Sequence, residues 1–319
     1  MANTFIKATK VVSTALGILE RESILPRLVW MNPVGDFAGV YGDTITVRVP
    51  AYMVARTRVL RGGTPITMDE LSETAIDLKL DTDVYKGVKI TDENLTLDIV
   101  DFSSQVMNPI LRSIVMGLED AVAAAISDAD YTLTETLTDA DPYATAVAAR
   151  QKLNLCNVPA SGRTLLVGSG IEAKILTSAR FTALINGGTP DGVDALHEAI
   201  IGRLAGFTVV QSNGIPTDKA YAFHSSAYVL STRAPVVPDG ASWGASQSFN
   251  GLALRVIKDY DPLYLTDRCI ANTWLGTGVV EDTGTLSAVA GHVGQFIPGT
   301  EEVPGTPIMV RAVEITDAA

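Results

Sequence analysis

The chain has 319 residues, enough for two or three subdomains and a large buried core. Hydrophobic residues make up 47% of it and aromatics only 6%, which describes a folded chain and excludes a disordered one. Lys and Arg number 24 against 36 Asp and Glu, and a net charge of -12 makes a poor grip for wrapping nucleic acid.

Taken in order, Thr9 to Glu20 reads as a short amphipathic helix with Val12, Leu16 and Leu19 on one face. It precedes any compact domain and needs another surface to bury that face. Pro26, Pro33 and Gly35 keep the chain irregular up to Gly42, so the first forty residues read as an arm. From Thr44 the period changes to two: Ile45, Val47 and Val49 alternate with polar residues until Pro50. Ile76, Leu78 and Leu80 alternate again, and Val88 and Ile90 continue in a further strand. Between them Ala51 to Thr74, with Arg56, Arg58 and Arg61, is too long for a tight turn. It reads either as a solvated tip or as a two-stranded finger whose arginines suit carboxylates on another chain.

Phe102 to Ser127 carries the strongest pattern. Val106, Ile110, Ile114, Leu118, Val122 and Ile126 form one apolar ladder. Met107, Leu111, Ala121 and Ala125 widen it, which predicts a helix of about 26 residues, roughly 40 Å long, buried on nearly every side. Pro109 inside it must kink the helix or mark its true first turn, and Gly117 suggests another backbone passing close by. Tyr131 to Asp139 reads as a strand, and Asp141-Pro142 opens a helix that runs to Leu153. An α/β rhythm follows: a strand at Thr164–Val167, a helix from Gly170 to Leu176, and a second helix from Asp194 to Leu204 stopped by Gly206. Short strands are expected at Phe207–Val210 and Tyr221–Phe223. After Pro238 come small residues, then extended segments at Gly251–Asp259 and Arg268–Val280. Ile308 to Ile315 reads as a strand returning beside Val279-Val280, with Thr283 to Thr306 as the loop between them.

The residues carry no catalytic constellation. His197, His224 and His292 lack the spacing of a metal site or triad, and His197-Glu198 lacks the second histidine of a zincin motif. Val167-Gly168-Ser169-Gly170 lacks the lysine of a phosphate loop and the first glycine of a nucleophile elbow. Asp92-Glu93, Glu119-Asp120 and Glu301-Glu302 are adjacent pairs that do not share a helix face. Cys156 and Cys269 belong to no CxxC pair, so buried, reduced thiols are expected. No catalytic residue, cofactor site or metal site is therefore expected. No run approaches the ~18 apolar residues of a membrane span, and Met1 to Lys10 lacks a signal-peptide core, so synthesis and folding in a cytoplasm are expected.

The order of parts and several segments resemble the major capsid (coat) protein of tailed bacteriophages, the Hong Kong 97-type fold that encapsulins share. The segments are GDTITVRVPA (Gly42–Ala51), VKITDENLTLDIVDFS (Val88–Ser103), IGRLAGFTVVQSNGIP (Ile201–Pro216), YAFHSSAYVL (Tyr221–Leu230) and WGASQSFNGLALRVIKDYDPLYLTDRC (Trp243–Cys269), with MVRAVEI near the end. They are closest to coat proteins of actinobacterial phages. The resemblance implies an α+β fold with an N-terminal arm at 1–40 and an extended β-hairpin loop at 41–95. It further implies a peripheral domain with the spine helix at 96–140 and 234–319, and an α/β axial domain at 141–233. It implies self-assembly through hexamers and pentamers into an icosahedral shell around double-stranded DNA, without sequence-specific binding and without a membrane. Scaffolding, portal and decoration proteins are the implied partners, the virion capsid the implied location, and the host cytoplasm the site of assembly. Inter-subunit contacts are expected at Val12, Leu16 and Leu19 of the arm and at Arg56, Arg58 and Arg61 of the loop. Cross-linking members of this fold use a loop lysine, which Ala51 to Thr74 lacks, so a non-covalent shell is expected. An encapsulin-type nanocompartment shell is the alternative within the fold; an α/β enzyme of unknown activity is the alternative from another class.

Overall fold

The computed structural model describes residues 23–31, 44–49, 57–62, 65–66, 68, 74–93, 102–139, 141–178, 202–241, 243–249, 251–289, 293–298 and 305–317. In chain order the strands are β1 (Trp30–Met31), β2 (Thr44–Val49), β3 (Thr74–Lys79), β4 (Thr82–Thr91) and β5 (Thr134–Leu137). Then come β6 (Arg163–Val167), β7 (Arg203–Leu204), β8 (Phe207–Gln211), β9 (Lys219–His224), β10 (Tyr228–Arg233) and β11 (Trp243–Phe249). The last are β12 (Leu252–Asp261), β13 (Thr266–Val279), β14 (Asp282–Leu286), β15 (Phe296–Pro298), β16 (Thr306–Ile308) and β17 (Ala312–Asp317). The α-helices are α1 (Asn108–Ser127), α2 (Pro142–Leu155) and α3 (Ser169–Thr177). The fold is thus α+β and rich in strands. Two compact units emerge, one built mainly on 77–125 and 228–278, the other on 126–227 and 279–319.

In the first unit, α1 lies on a sheet ordered β1-β10-β13-β12-β11, with β4 also paired to β13. Ile110, Ile114 and Leu118 pack with Leu254 and Val256 of β12 and Ala271 and Leu275 of β13. The predicted ladder from Val106 to Ile126 is buried throughout. The helix is nevertheless not buried all round: Gln105, Pro109, Arg112, Met116, Asp120 and Ala124 form an exposed stripe at steps of three and four residues. Pro109 is the second residue of α1, and a widened π turn over Ser103–Met107 leads directly into it. That widening makes room for a ring that would otherwise strike the carbonyl four residues back. The neighbour at Gly117 is a side chain, not the backbone expected from sequence. A Cβ there would stand 2.6 Å from Val84 Cγ1.

The second unit is a sheet ordered β5-β17-β9-β6-β8-β7. Its fully buried strand β6 runs parallel to β8 and antiparallel to β9. Ala146, Ala149 and Leu153 of α2 share its core with Leu165, Val167 and Ile315. Asp141 caps α2 as expected, its carboxylate accepting from Ala144 N at 3.3 Å with Pro142 next in line.

Three sequence expectations are corrected. The C-terminal segment does not return beside Val279-Val280 as one strand: β16 pairs with β14, and β17 lies between β5 and β9. The 283–306 stretch is not only loop, since β14 and β15 within it build a small three-stranded sheet with β16. Arg203-Leu204 is a strand, not the end of a helix. Ala205 (φ 49°) and Gly206 (φ 87°) form a two-residue turn with both φ positive, which joins β7 to β8. The rest of that expected helix, 194–201, lies outside the described residues.

Candidate inter-subunit surfaces

β2 and β3 pair as a two-stranded sheet and frame the loop that carries the arginines. A lone two-stranded ribbon is marginal in water, so its stability must come from what it rests against. At the tip, Gly62 N donates to Val59 O at 3.2 Å, closing a turn. Arg61 occupies the third position of that turn with φ 67°. A left-handed conformation costs a residue with a Cβ about 1–2 kcal/mol, which Gly would avoid. Arg58, Val59, Leu60 and Arg61 all face solvent. The loop thus displays two cations and two aliphatic side chains together. Arg56 lies outside the described residues, as do Val12, Leu16 and Leu19 of the arm.

Residues following the predicted arm helix are anchored. Leu25, Pro26 and Val29 are buried, and Trp30-Met31 pair in parallel with Val229-Leu230. Glu119 of α1 turns inward to accept hydrogen bonds from the amides of Ile24 and Leu25, the latter at 3.0 Å. These amides open the 3₁₀ turn Leu25–Arg27, so the carboxylate serves as its cap. Burial lifts the Glu119 carboxyl above its usual range while the two amides pull it back down.

The hairpin between β12 and β13 is a second exposed tip. Asp261 accepts from Leu263 N at 3.1 Å, and Leu265 sits at φ 48°. Tyr260 donates to Asp92 at 3.1 Å, Asp92 N donates to Leu265 O at 3.3 Å, and Lys89 Nζ stands 5.1 Å above the Tyr264 ring. Sequence reading passed over this tip, although DYDPLYL (Asp259–Leu265) places three large apolar residues on a turn.

The sites that could have carried chemistry are otherwise occupied. A Cβ at Gly168 would lie 2.2 Å from Pro216 O, and one at Gly170 2.7 Å from Thr217 O. Gly170 N and Ile171 N at the start of α3 both donate to Thr217 O, so a protein carbonyl fills the place of a phosphate. His224 Nδ1 lies 2.8 Å from Ser226 Oγ and accepts from Ser226 N at 3.2 Å. Burial and the Arg311 charge hold its pKa below the ordinary value. His197 and His292 lie outside the described residues. Among the described residues no three His, Cys, Asp or Glu cluster as metal ligands. Cys156 and Cys269 are free and buried, their pKa values pushed up to about 11 by burial.

The described residues thus offer two exposed loop tips and no cluster of metal ligands. A family described as phage capsid protein matches residues 75–290, more than half of the chain. The chain belongs to this phage capsid protein family; it is a tailed-phage major capsid protein, structural and non-enzymatic, whose copies form the icosahedral shell of the virion. The fold is that of solved phage shells. A protein of Mycobacterium phage Che8 superposes with TM-score 0.61 at 17% identity, over 92% of this chain and 91% of that one. The capsid structure of the cyanophage P-SCSP1u gives 0.61 at 14%, over 100% and 90%. A virus-like particle from Pyrococcus furiosus gives 0.53 at 11%, over 96% and 98%. No curated protein matches the sequence.

Proposed function

We propose that the shell is built from hexamers and pentamers of this chain, held without covalent cross-links, around double-stranded DNA that is enclosed and not read. In this reading residues 1–40 are an arm and 41–95 an extended loop, each docking on a neighbour. The first unit, with the long helix α1, is the peripheral domain, and the second, which takes 279–319 together with 141–227, is the axial domain that meets its copies at the symmetry axes. Assembly takes place in the host cytoplasm with a scaffolding protein, a portal and decoration proteins as partners. One observation carries the reading: the loop tip holds Arg58 and Arg61 beside Val59 and Leu60, all facing solvent. A subunit that presents apolar and cationic side chains on one tip gains from burying them against a neighbour's apolar and acidic groups. The net charge of -12 supports enclosure of DNA without gripping it.

The test is replacement of Arg56, Arg58 and Arg61 by Ala. The subunit should keep its circular dichroism and unfolding midpoint, while the yield of closed shells by negative-stain microscopy falls. Each arginine is expected to contribute from several tenths to about 3 kcal/mol, according to its burial in the contact. Normal shells from the triple variant would refute the role given to the loop.

A further inference from the structure

The connection between β8 and β9 holds an Asn-Gly pair, Asn213-Gly214, to which the shell gives no role. Its flanks are pinned. Ser212 N donates to Val167 O at 3.2 Å, Ile215 is buried, and Thr217 O accepts from Gly170 N and Ile171 N at 3.1 and 3.3 Å. Between those anchors Asn213 and Gly214 face solvent. Two hydrogen bonds meet on the pair. Gln211 Nε2 donates to Asn213 Oδ1 at 2.6 Å, and Gly214 N donates to Ser212 Oγ at 3.1 Å. The first draws electron density from the side-chain carbonyl and makes its carbon more electrophilic. The second aims the Gly214 N–H at an oxygen that can pass its proton to water. Backbone conformation does not account for the glycine: Gly214 is not one of the glycines with positive φ, so φ alone would admit a residue with a Cβ.

We propose that Asn213 is a self-modifying site, at which the side-chain amide is lost through attack by the backbone nitrogen that follows it. Gly214 N forms a bond to Asn213 Cγ and closes a ring, while its proton leaves through Ser212 Oγ to water. The Gln211 amide stabilises the negative charge that gathers on Oδ1. The Cγ–Nδ2 bond then breaks, and Nδ2 takes a proton from water and departs as ammonia, leaving a succinimide. Water, the only co-reactant, opens that ring at either carbonyl. One opening gives aspartate; the other gives isoaspartate, in which the main chain runs through the former side chain. Glycine at 214 leaves the attacking nitrogen without a Cβ beside it. Either product places a new carboxylate on this turn in each copy, and isoaspartate lengthens the backbone between the two anchored flanks.

The experiment ages the full-length protein for weeks in mildly alkaline buffer. Peptide mass spectrometry reads the change of amide to acid at Asn213, and labelling by an isoaspartyl methyltransferase counts the isoaspartate. The folded protein is expected to convert several-fold faster than the same chain held unfolded in urea, because the bonds from Gln211 and to Ser212 exist only in the fold. Gln211→Glu keeps the side-chain length, removes the donor and should bring the folded rate down to the unfolded one. Gln211→Ala, which adds no charge, should do the same and decides the case in which the glutamate disturbs the fold. Gly214→Ala should slow conversion about tenfold, its Cβ obstructing the attacking nitrogen. A folded rate equal to or below the unfolded one would overturn the proposal, since the turn would then protect Asn213. Rates left unchanged by both Gln211 variants would overturn it too. So would aspartate formed without isoaspartate, the mark of direct hydrolysis of the amide by water.

Discussion

At the scale of single residues, buried polar groups explain more of this structure than charges at the surface. Arg163 is almost wholly buried, and among the described residues no carboxylate forms an ion pair with it; its Nε and Nη2 donate to Pro159 O and Val158 O at 2.8 and 2.6 Å. Those carbonyls follow the C-terminal end of α2, where a cation is electrostatically at home. Among the described residues His224 is the one histidine, the side chain whose ordinary pKa lies nearest neutral. Ser226 donates to its Nδ1, so the imidazole is held neutral, and Arg311 and Arg163 both oppose its protonation. The folded pKa therefore lies below the unfolded 6.5, and the unfolded chain takes up the proton first. Its stabilisation is complete above pH 6.5 and is lost as pH falls through the folded value. The urea midpoint of the unassembled subunit should accordingly drop between pH 7.5 and pH 5, and drop less in His224→Gln. Equal slopes in the two proteins would show that His224 does not govern this range.

At the scale of elements, contacts between α1 and the strands beneath it are tight enough to reverse an ordinary preference. Ala in place of Gly gains a helix about 1 kcal/mol. At Gly117 the added methyl meets Val84, whose strand is paired with β13 along its whole length and cannot retreat. Gly117→Ala should therefore lose about 1–2 kcal/mol in urea unfolding, overpacking outweighing propensity. In a Val84→Ala background the same change should gain up to about 1 kcal/mol, since only the propensity then remains. The sign change between backgrounds is the measurement; the same sign in both would place the clash elsewhere.

For the whole molecule, the predictions concern what copies do to one another. If the arm docks on a neighbour as proposed, deleting residues 1–20 should spare the subunit's fold and impair the shell, since Val12, Leu16 and Leu19 would each gain about 1.5–3 kcal/mol on burial there. A deletion that unfolded the subunit would put this helix in its own core. Shells boiled in detergent should run as one band near 33.7 kDa. Isopeptide formation needs a neutral amine, which lysine supplies when burial lowers its pKa and arginine does not. Bands at multiples that survive reductant would point to a lysine such as Lys79, and bands that vanish with it to Cys156 or Cys269.

Local signals sufficed wherever a pattern repeats within one element. The α1 ladder was legible because six apolar residues at helical spacing have only one face to share, and Asp141-Pro142 because a cap and its proline act over a single turn. The reversal between β11 and β12 was equally local, with Gly251 at φ 79° just before β12, but it was obscured by the small residues before it. The loop arginines could be named from sequence, whereas the Leu263–Leu265 tip could not. Apolar residues on a turn look the same in sequence whether they fold inward or stay in solvent. Strand partners were decided only in three dimensions. Ala312–Asp317 alternates well enough for any sheet, yet nothing in its own residues selects β5 and β9 over Val279-Val280. Pairing energy comes from backbone hydrogen bonds that every strand offers alike, so the choice falls to which buried faces meet between segments far apart in the chain.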